Sequence, residues 1–423
     1  ACDELGVLVI EPMPGWQYFN ADTLFVNLTY RDIRDMIRRD RNHPSIIMWE
    51  TILNESWPPN DWKDGAIAIA HEEYPGNQCF ASGDSYGYDG YDVCYNDWSE
   101  GFNRANNTSK PSFIREYYDY EFGGHYSTTR KSRGDGEQAL LGSSWNAQWS
   151  HNRYRSQYPW TMGDAVWSMY DYNRGCCDNI CRSGVADIFR LPKFSLNFFK
   201  SQQNIGDLLP SGYQHPYLFI ANYWTERPAE DNKVVVYGNV DQVELKVNGV
   251  SVARQFKDSG ATTDYSADSN GWYTGGDSFD GGNCENLSQS PFTFSNIEWS
   301  SGYIEAVGYV DGKRVVKSSV STPLEAKELS ISYFESGCKA QKEDVLIIYV
   351  SLIDKNGTLN VLDNETKIEL TVLSGGRVVG AESMSLEAGI ASFIVQTNDA
   401  SKLKLLATGG GFKSIKSMKL ESK

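Results

Sequence analysis

SIIMWETILNES, residues Ser45–Ser56, is the stretch whose reading decides the fold. It opens as a short apolar run, Ile46–Ile47–Met48–Trp49, preceded by Asn42–His43–Pro44. A run too short for a helix of its own and bounded by turn residues predicts a fully buried parallel strand. The stretch then turns polar and delivers Asn54–Glu55 just past the strand end. In a barrel of alternating strands and helices, catalytic groups sit at the carboxyl ends of the strands. A carboxylate there, between Trp49 and Trp57, is a candidate proton donor for a sugar. A solvated helix N-terminus, where Asn and Glu are common, accounts for the same residues. The stretch alone leaves both readings open.

Around it, short apolar runs alternate with amphipathic segments through the first 205 or so residues: Leu5–Ile10, Gln78–Ser82, Tyr91–Tyr95, Ser112–Arg115 and Asp164–Met169. Between the first two strand candidates lies Asp22–Asp40, with Leu24, Leu28, Ile33 and Ile37 near helical spacing. Strand, helix, strand in this order is the α/β pattern. Strand candidates ending in polar and aromatic residues fit a closed barrel better than an open doubly wound sheet. No Gly-rich phosphate loop follows the first strand, which disfavours a nucleotide-binding reading. A complete eight-stranded barrel takes about 250 residues, so the first two strands are expected to be missing here.

From about residue 210 the texture becomes all-β. Tyr217–Ala221, Val234–Tyr237, Val243–Val247, Ile304–Val310 and Val315–Ser319 are short β-branched runs. Asn248–Gly249 and Asp311–Gly312 stand where tight hairpin turns belong. Asp258–Ser290, rich in Gly, Ser, Asp and Asn, predicts a long loop, and Pro323 marks a linker. A second sandwich is expected from about Lys327, with strands at Val345–Ile353, Lys367–Val372 and Ile390–Val395 and a turn at Asn356–Gly357. The expected architecture is multidomain: a partial (β/α)8 TIM barrel over 1–207, then all-β sandwiches over 208–324 and 325–423. Neither sandwich carries recognisable chemistry; structural support is preferred over weak sugar binding.

Composition narrows the function. With 423 residues, about three domains are expected at roughly 150 residues each. The net charge of −16 would repel a phosphate backbone, and no basic stripe appears, so nucleic acid is disfavoured as a partner. No run approaches the ~20 apolar residues of a membrane span. The 12 Trp, 25 Tyr and 18 Phe, concentrated before residue 225, suit the C–H patches of sugar rings, although a large core explains part of the excess. The eight cysteines lack zinc spacing; only Cys176, Cys177 and Cys181 cluster, and free buried thiols are expected there rather than a disulfide. No metal or cofactor is expected. The chain opens Ala1–Cys2–Asp3–Glu4 into an apolar run, as if within a structural unit, and no signal segment is visible. A piece of a longer protein is therefore expected, with the missing N-terminal portion as its partner. A periplasmic or secreted placement is favoured over the cytoplasm; oligomeric state is left open.

Hydrolysis of a glycosidic bond with retention needs two carboxyl groups about 5–5.5 Å apart, one protonated and one ionised. Glu116 is the second candidate. It ends the run Lys110–Pro111–Ser112–Phe113–Ile114–Arg115–Glu116–Tyr117, a short strand introduced by proline. About three strand–helix units separate it from Glu55, and strands three apart in an eight-membered ring can aim at a common pocket. A neighbouring Arg or Tyr would keep Glu116 ionised. Taken alone, Glu116 is more readily read as half of a structural salt bridge with Arg115 or another Arg.

Arg39–Asp40–Arg41–Asn42–His43–Pro44–Ser45–Ile46–Ile47–Met48–Trp49 followed by Asn54–Glu55 resembles the acid/base signature of glycoside hydrolase family 2. Cys2–Val9 resembles that family's third barrel strand, and Lys110–Tyr117 its nucleophile strand. Gly163–Trp167 with Asp171–Tyr172, then Arg190–Leu191–Pro192–Lys193, resembles its eighth strand and closing helix. The resemblance implies a retaining exo-β-glycosidase, β-galactosidase-like, acting on an oligosaccharide or glycoside. It makes Glu55 the general acid/base, Glu116 the nucleophile and Asn54 the holder of the 2-hydroxyl. Trp167 becomes a sugar platform, and Asn96 and Trp98 line the pocket; Asp84, Trp16, Arg115 and Asp119 are further candidates. It also implies immunoglobulin-like domains after the barrel. His43, ahead of the strand, is read as structural.

Two departures stand out. Trp49 and Asn54 are one residue further apart than is usual in the family, which predicts a bulge before Glu55. No stretch here resembles the family's N-terminal β domains or first two barrel strands, which are expected in a missing N-terminal portion of the protein. A catalytically inactive carbohydrate-binding or structural remnant is the competing reading, and an adhesin built on residues 210–423 a third. The absence of an Asn–Lys pair where Arg190–Lys193 stands disfavours a glucuronidase.

Overall fold

The computed structural model describes residues 1–51, 55–76, 80–81, 90–97, 110–118, 130–155, 161–173, 180–206, 216–228, 232–261, 281–336 and 342–418, the side chains of 81 and 94–97 excepted. The chain divides into two compact units, one of residues 1–124, 150–167 and 206–214, the other of residues 125–149, 168–205 and 215–423.

In the first unit, β1 (Val9–Pro12) pairs in parallel with β2 (Ile46–Glu50), and β2 with β3 (Phe80–Ala81). A second parallel sheet has the order β4 (Cys94–Asp97), β5 (Ser112–Tyr118), β6 (Thr161–Trp167). β2 is buried from Met48 onward, whereas Ile46 is half-buried and Ile47 is 39% exposed, so the strand is not covered along its whole length, contrary to the expectation from sequence. Trp49 packs with Ile33, Ile37, Trp62, Ala66 and Phe80 against helices Thr23–Asp40 and Asn60–Glu73. Met48, on the opposite face, meets Val93, with Ile10 and Phe113 beside it. Met48 thus ties both sheets to one interior. Gly163 of β6 lies where a side chain would strike the Phe113 ring, which is why the position carries no Cβ. Burying side chains of this size stabilises by about 1.5–3 kcal/mol each.

Two further expectations change here. The strand expected over Leu5–Ile10 is instead a helical turn, Cys2–Leu5, closed by Gly6 at φ 70°, with β1 beginning at Val9. Acidic Asp3 and Glu4 in the first turn and a left-handed glycine after the last are the signals of a short helix. In helix Thr23–Asp40, Ile33, Met36 and Ile37 are buried, while Leu24 and Leu28 are exposed. The five-residue step from Leu28 to Ile33 rotates by about 140° beyond a full turn, so the four residues do not share a face. The helix starts where Asp22 accepts from the backbone N–H groups of Leu24 and Phe25.

In the second unit, a three-stranded sheet (Phe292–Phe294, Val234–Gly238, Leu218–Ile220) and a four-stranded one (Val250–Phe256, Gln242–Val247, Tyr303–Val310, Lys313–Ser321) are antiparallel and share one core. Val236, Phe292, Leu245 and Ile304 meet within it. Asn248–Gly249 and Asp311–Gly312 form the expected turns, each with both residues at positive φ. A second pair of four-stranded sheets follows, ordered Ala326–Tyr333, Val345–Asp354, Ile390–Thr397, Gly376–Val379 and Ser383–Ser385, Lys367–Ser374, Lys404–Gly409, Phe412–Ser417. Leu329, Ile348, Phe393, Leu370 and Leu405 fill the space between them. At the turn after Asp354, only Gly357 has positive φ; the Asp354 carboxylate accepts from Asn356 and Thr358 N–H and shapes the rest.

The same unit holds a buried ion pair. Lys193 Nζ, 1% exposed, donates to Asp171 Oδ1 at 2.7 Å and to the Arg182 carbonyl at 2.8 Å. Asp171 Oδ1 also accepts from Gly184 N–H at 2.9 Å. Burial pushes the Asp171 carboxyl up to about 6, with Lys193 opposing it.

Candidate active site

Both candidate carboxylates belong to the first unit: Glu55 follows a parallel strand and Glu116 lies within one. β2 runs on through buried Thr51, and Glu55 sits in the turn that leads to helix Asn60–Glu73. Its backbone is left-handed, at φ 61°, and so is that of Trp57, at φ 42°. Such conformations are costly for residues other than glycine, and they concentrate at functional sites. Trp16 Nε1 donates to Glu55 Oε2 at 3.1 Å, and Gln17 Nε2 donates to the same oxygen at 2.6 Å. Two donors on one oxygen orient a carboxyl group more firmly than either alone. Trp57 is 68% exposed, whereas Trp49 turns into the core beneath the helices and does not flank Glu55. The burial pattern decides this: Met48 and Trp49 are both fully buried on opposite faces of the strand.

Glu116 lies on β5, near its carboxyl end, opposite Asp97 of β4 in register. Arg115 Nη1 donates to Glu116 Oε1 at 3.0 Å, and both side chains are largely buried. The pairing is irregular on both sides, with shifts between Asn96 and Asp97 and between Ile114 and Tyr117. Two residues on, buried Tyr118 has φ 90° and stands opposite Trp167 of β6. A bulky residue at that φ is a true outlier, held there by its surroundings.

A polar cluster underlies the strand. Tyr117 Oη lies 2.9 Å from His151 Nδ1, which lies 3.3 Å from Asp164 Oδ1 on β6. Burial alone would push Asp164 up, but hydrogen bonds and charge from His151, aided by Tyr117, hold it below the ordinary carboxylate range.

Of the other expected site residues, Trp167 is half-buried at the end of β6, and Asn96 is on β4 with only its backbone described. Asn54, Trp98, Asp84 and Asp119 lie outside the described residues, as do Cys176, Cys177 and the bulge expected between Trp49 and Glu55. His43 is bound to Asp3, Nδ1 to Oδ2 at 2.6 Å, ahead of β2. Cys2 and Cys181 are free thiols. Among the described residues no cluster of three or more His, Cys, Asp or Glu could hold a metal, and no helix is long and apolar enough to cross a membrane. Gln17 was not legible as a site residue: a lone glutamine in a loop carries no local signal, and only its donation to Glu55 across the fold identifies it.

Residues 2–74 match the family model described as "Glycosyl hydrolases family 2, TIM barrel domain", and residues 230–316 match a domain of unknown function, DUF4982. A β-galactosidase of Thermoanaerobacter pseudethanolicus is 30% identical over 415 residues, covering 94% of this chain and 51% of its own length. A putative β-glucuronidase of Formosa agariphila is 24% identical over 412 residues, covering 85% of this chain and 36% of its own. A solved β-glucuronidase of glycoside hydrolase family 2 superposes with a TM-score of 0.70 at 18% identity, covering 98% of this chain and 42% of that one. A β-glycosidase from Bacteroides vulgatus gives 0.68 at 20% identity, covering 97% and 56%. The chain thus spans about half the length of the first of these relatives and about a third of the second. It belongs to glycoside hydrolase family 2.

Proposed function

We propose that this member of glycoside hydrolase family 2 carries the acid/base and nucleophile of a retaining exo-β-glycosidase, and that the activity is a property of the whole protein. The observation that carries the reading is the pair of strand-end carboxylates, Glu55 and Glu116, each gripped by its own donors where the backbone is strained. Glu55 gives its proton to the glycosidic oxygen as the bond from that oxygen to the anomeric carbon breaks. Glu116, paired with Arg115, attacks the same carbon from the opposite face and forms a glycosyl ester. Water then gives its proton to Glu55 and its hydroxyl to the anomeric carbon, releasing Glu116 with net retention. Asn54 would hold the 2-hydroxyl, and Trp167, with Asn96 and Trp98, would bound the glycone.

A β-galactoside is the preferred substrate, in line with the 30% identical relative, and a β-glucuronide is the second reading, in line with the other. The domains are assigned as barrel over 1–207 and immunoglobulin-like sandwiches over 208–324 and 325–423. The test is azide rescue of aryl glycoside cleavage in the protein expressed from its own gene. Glu116→Ala should abolish turnover and, with azide, release an α-glycosyl azide; Glu55→Ala with azide should yield the β-anomer. Sugar binding without turnover in the unsubstituted protein would sink the reading in favour of a non-catalytic sugar binder.

A further inference from the structure

The loop after β1 holds two features that the hydrolytic scheme leaves unused. Trp16 and Gln17 reach across to one oxygen of Glu55 from a segment remote in sequence, and Gln17 does so with its backbone left-handed, at φ 53°. Three non-glycine residues at positive φ, Gln17, Glu55 and Trp57, therefore lie in the two loops joined by these bonds. Strain of this kind persists only where the surroundings over-determine it.

Those surroundings are aromatic. Phe19 packs edge-on against Phe25 at 5.8 Å and Trp62 at 5.7 Å, and Tyr18 against Phe25 at 5.5 Å. Trp62 is stacked on Tyr30 at 5.5 Å, whose hydroxyl donates to the Trp62 carbonyl. Met13 N–H donates to the Glu50 carbonyl at 2.9 Å, so the near end of the loop is tied to the end of β2 itself. Residues 13–19 are thus anchored at both ends on the elements that carry Glu55, while the Trp16 ring stays 51% exposed.

We propose that Trp16 and Gln17 are positioning residues for the acid/base: their N–H groups fix the plane and rotamer of the Glu55 carboxyl for protonation of the leaving oxygen. The inference rests on the assignment of Glu55 as acid/base. It assigns Gln17 and the indole N–H of Trp16 a role in leaving-group departure and none in binding the glycone.

A leaving group that departs as a stable anion scarcely needs the acid, whereas an alkoxide does. The experiment compares kcat/KM, which reports the glycosylation step, for methyl and 2,4-dinitrophenyl β-glycosides of the sugar turned over. Gln17→Met keeps length and removes the donor; Trp16→Phe keeps a ring and removes the N–H. Each should lower kcat/KM on the methyl glycoside by about 10–100-fold, the scale of a misplaced catalytic group, with about 3-fold or less lost on the dinitrophenyl glycoside. Equal losses on both substrates, or none on the methyl glycoside, would overturn the proposal. Glu55→Gln is the separating control. If it fails to discriminate between the two leaving groups, the assignment of Glu55 falls, and this inference with it. If it discriminates and the loop variants do not, only the loop's role is refuted.

Discussion

Replacing Lys193 with Met should expose how much the buried pair with Asp171 contributes. Met is similar in length and removes the ammonium that donates to Asp171 Oδ1 at 2.7 Å. The carboxylate would keep its bond from Gly184 N–H but lose its counter-charge, in a site where Lys193 is 1% exposed. Removing one partner of a buried pair costs about 3–5 kcal/mol, because the other charge is left uncompensated. Part of that cost is avoidable by protonation, and this gives the prediction a pH signature. Burial already holds Asp171 at about 6 with the lysine present, against 3.8 in an unfolded chain. Without the lysine the folded-state value rises further.

Where the folded state keeps a proton that the unfolded state has released, stability falls by about 1.4 kcal/mol per pH unit. In the unsubstituted protein the Asp171 contribution to this fall ends near pH 6; in Lys193→Met it continues above that. The gap in stability between the two should therefore widen by up to about 3 kcal/mol between pH 6 and pH 8. Urea unfolding at several pH values, followed by tryptophan fluorescence, measures it. The double variant Lys193→Met/Asp171→Asn keeps an acceptor for Gly184 and has no charge to strand, so its gap should be flat with pH. A gap in the single variant that stays constant or narrows with rising pH would refute this account of the pair.

Two further outcomes follow from local geometry. Gly249→Ala should lower stability by about 1–2 kcal/mol, since residue 249 sits at φ 83° in the turn of the Gln242–Val247/Val250–Phe256 hairpin and the added methyl meets Tyr303 Oη at 3.2 Å; thermal unfolding checks it. Tyr117→Phe should cost about 0.5–1.5 kcal/mol by removing one buried hydrogen bond to His151 Nδ1, which keeps its contact with Asp164, and should move the Asp164 carboxyl upward, read by carbon NMR of its side chain.

Part of the candidate site can be read from the sequence. Glu55 and Glu116 stand out because a short apolar run ending in a carboxylate is a local pattern, and β2 and β5 formed where those runs lie. The strands Leu218–Ile220, Val234–Gly238, Gln242–Val247, Tyr303–Val310, Lys313–Ser321, Val345–Asp354, Lys367–Ser374 and Ile390–Thr397 and the turns Asn248–Gly249 and Asp311–Gly312 were legible for the same reason: alternation and turn chemistry act over a few residues. Expectations failed where local signals compete. Leu5 continued an apolar run, yet acidic residues before it and Gly6 after it closed a helical turn. Leu24 and Leu28 looked like a core face, yet the helix turned them to solvent.

What the sequence by itself determined, then, is the α/β texture of the first 205 or so residues, the all-β texture beyond them and the two carboxylates as candidates, since each depends on neighbours within a turn or two. Only the tertiary structure decided that Trp49 faces the helices instead of Glu55. The same holds for the Trp16–Gln17 clasp on Glu55 Oε2, the pairing of Lys193 with Asp171, and the stationing of His151 between Tyr117 and Asp164. Each of these joins residues far apart along the chain, and no local propensity records which distant side chain will supply a donor or a counter-charge once water is excluded. Burial creates that demand, and the fold selects the residue that meets it.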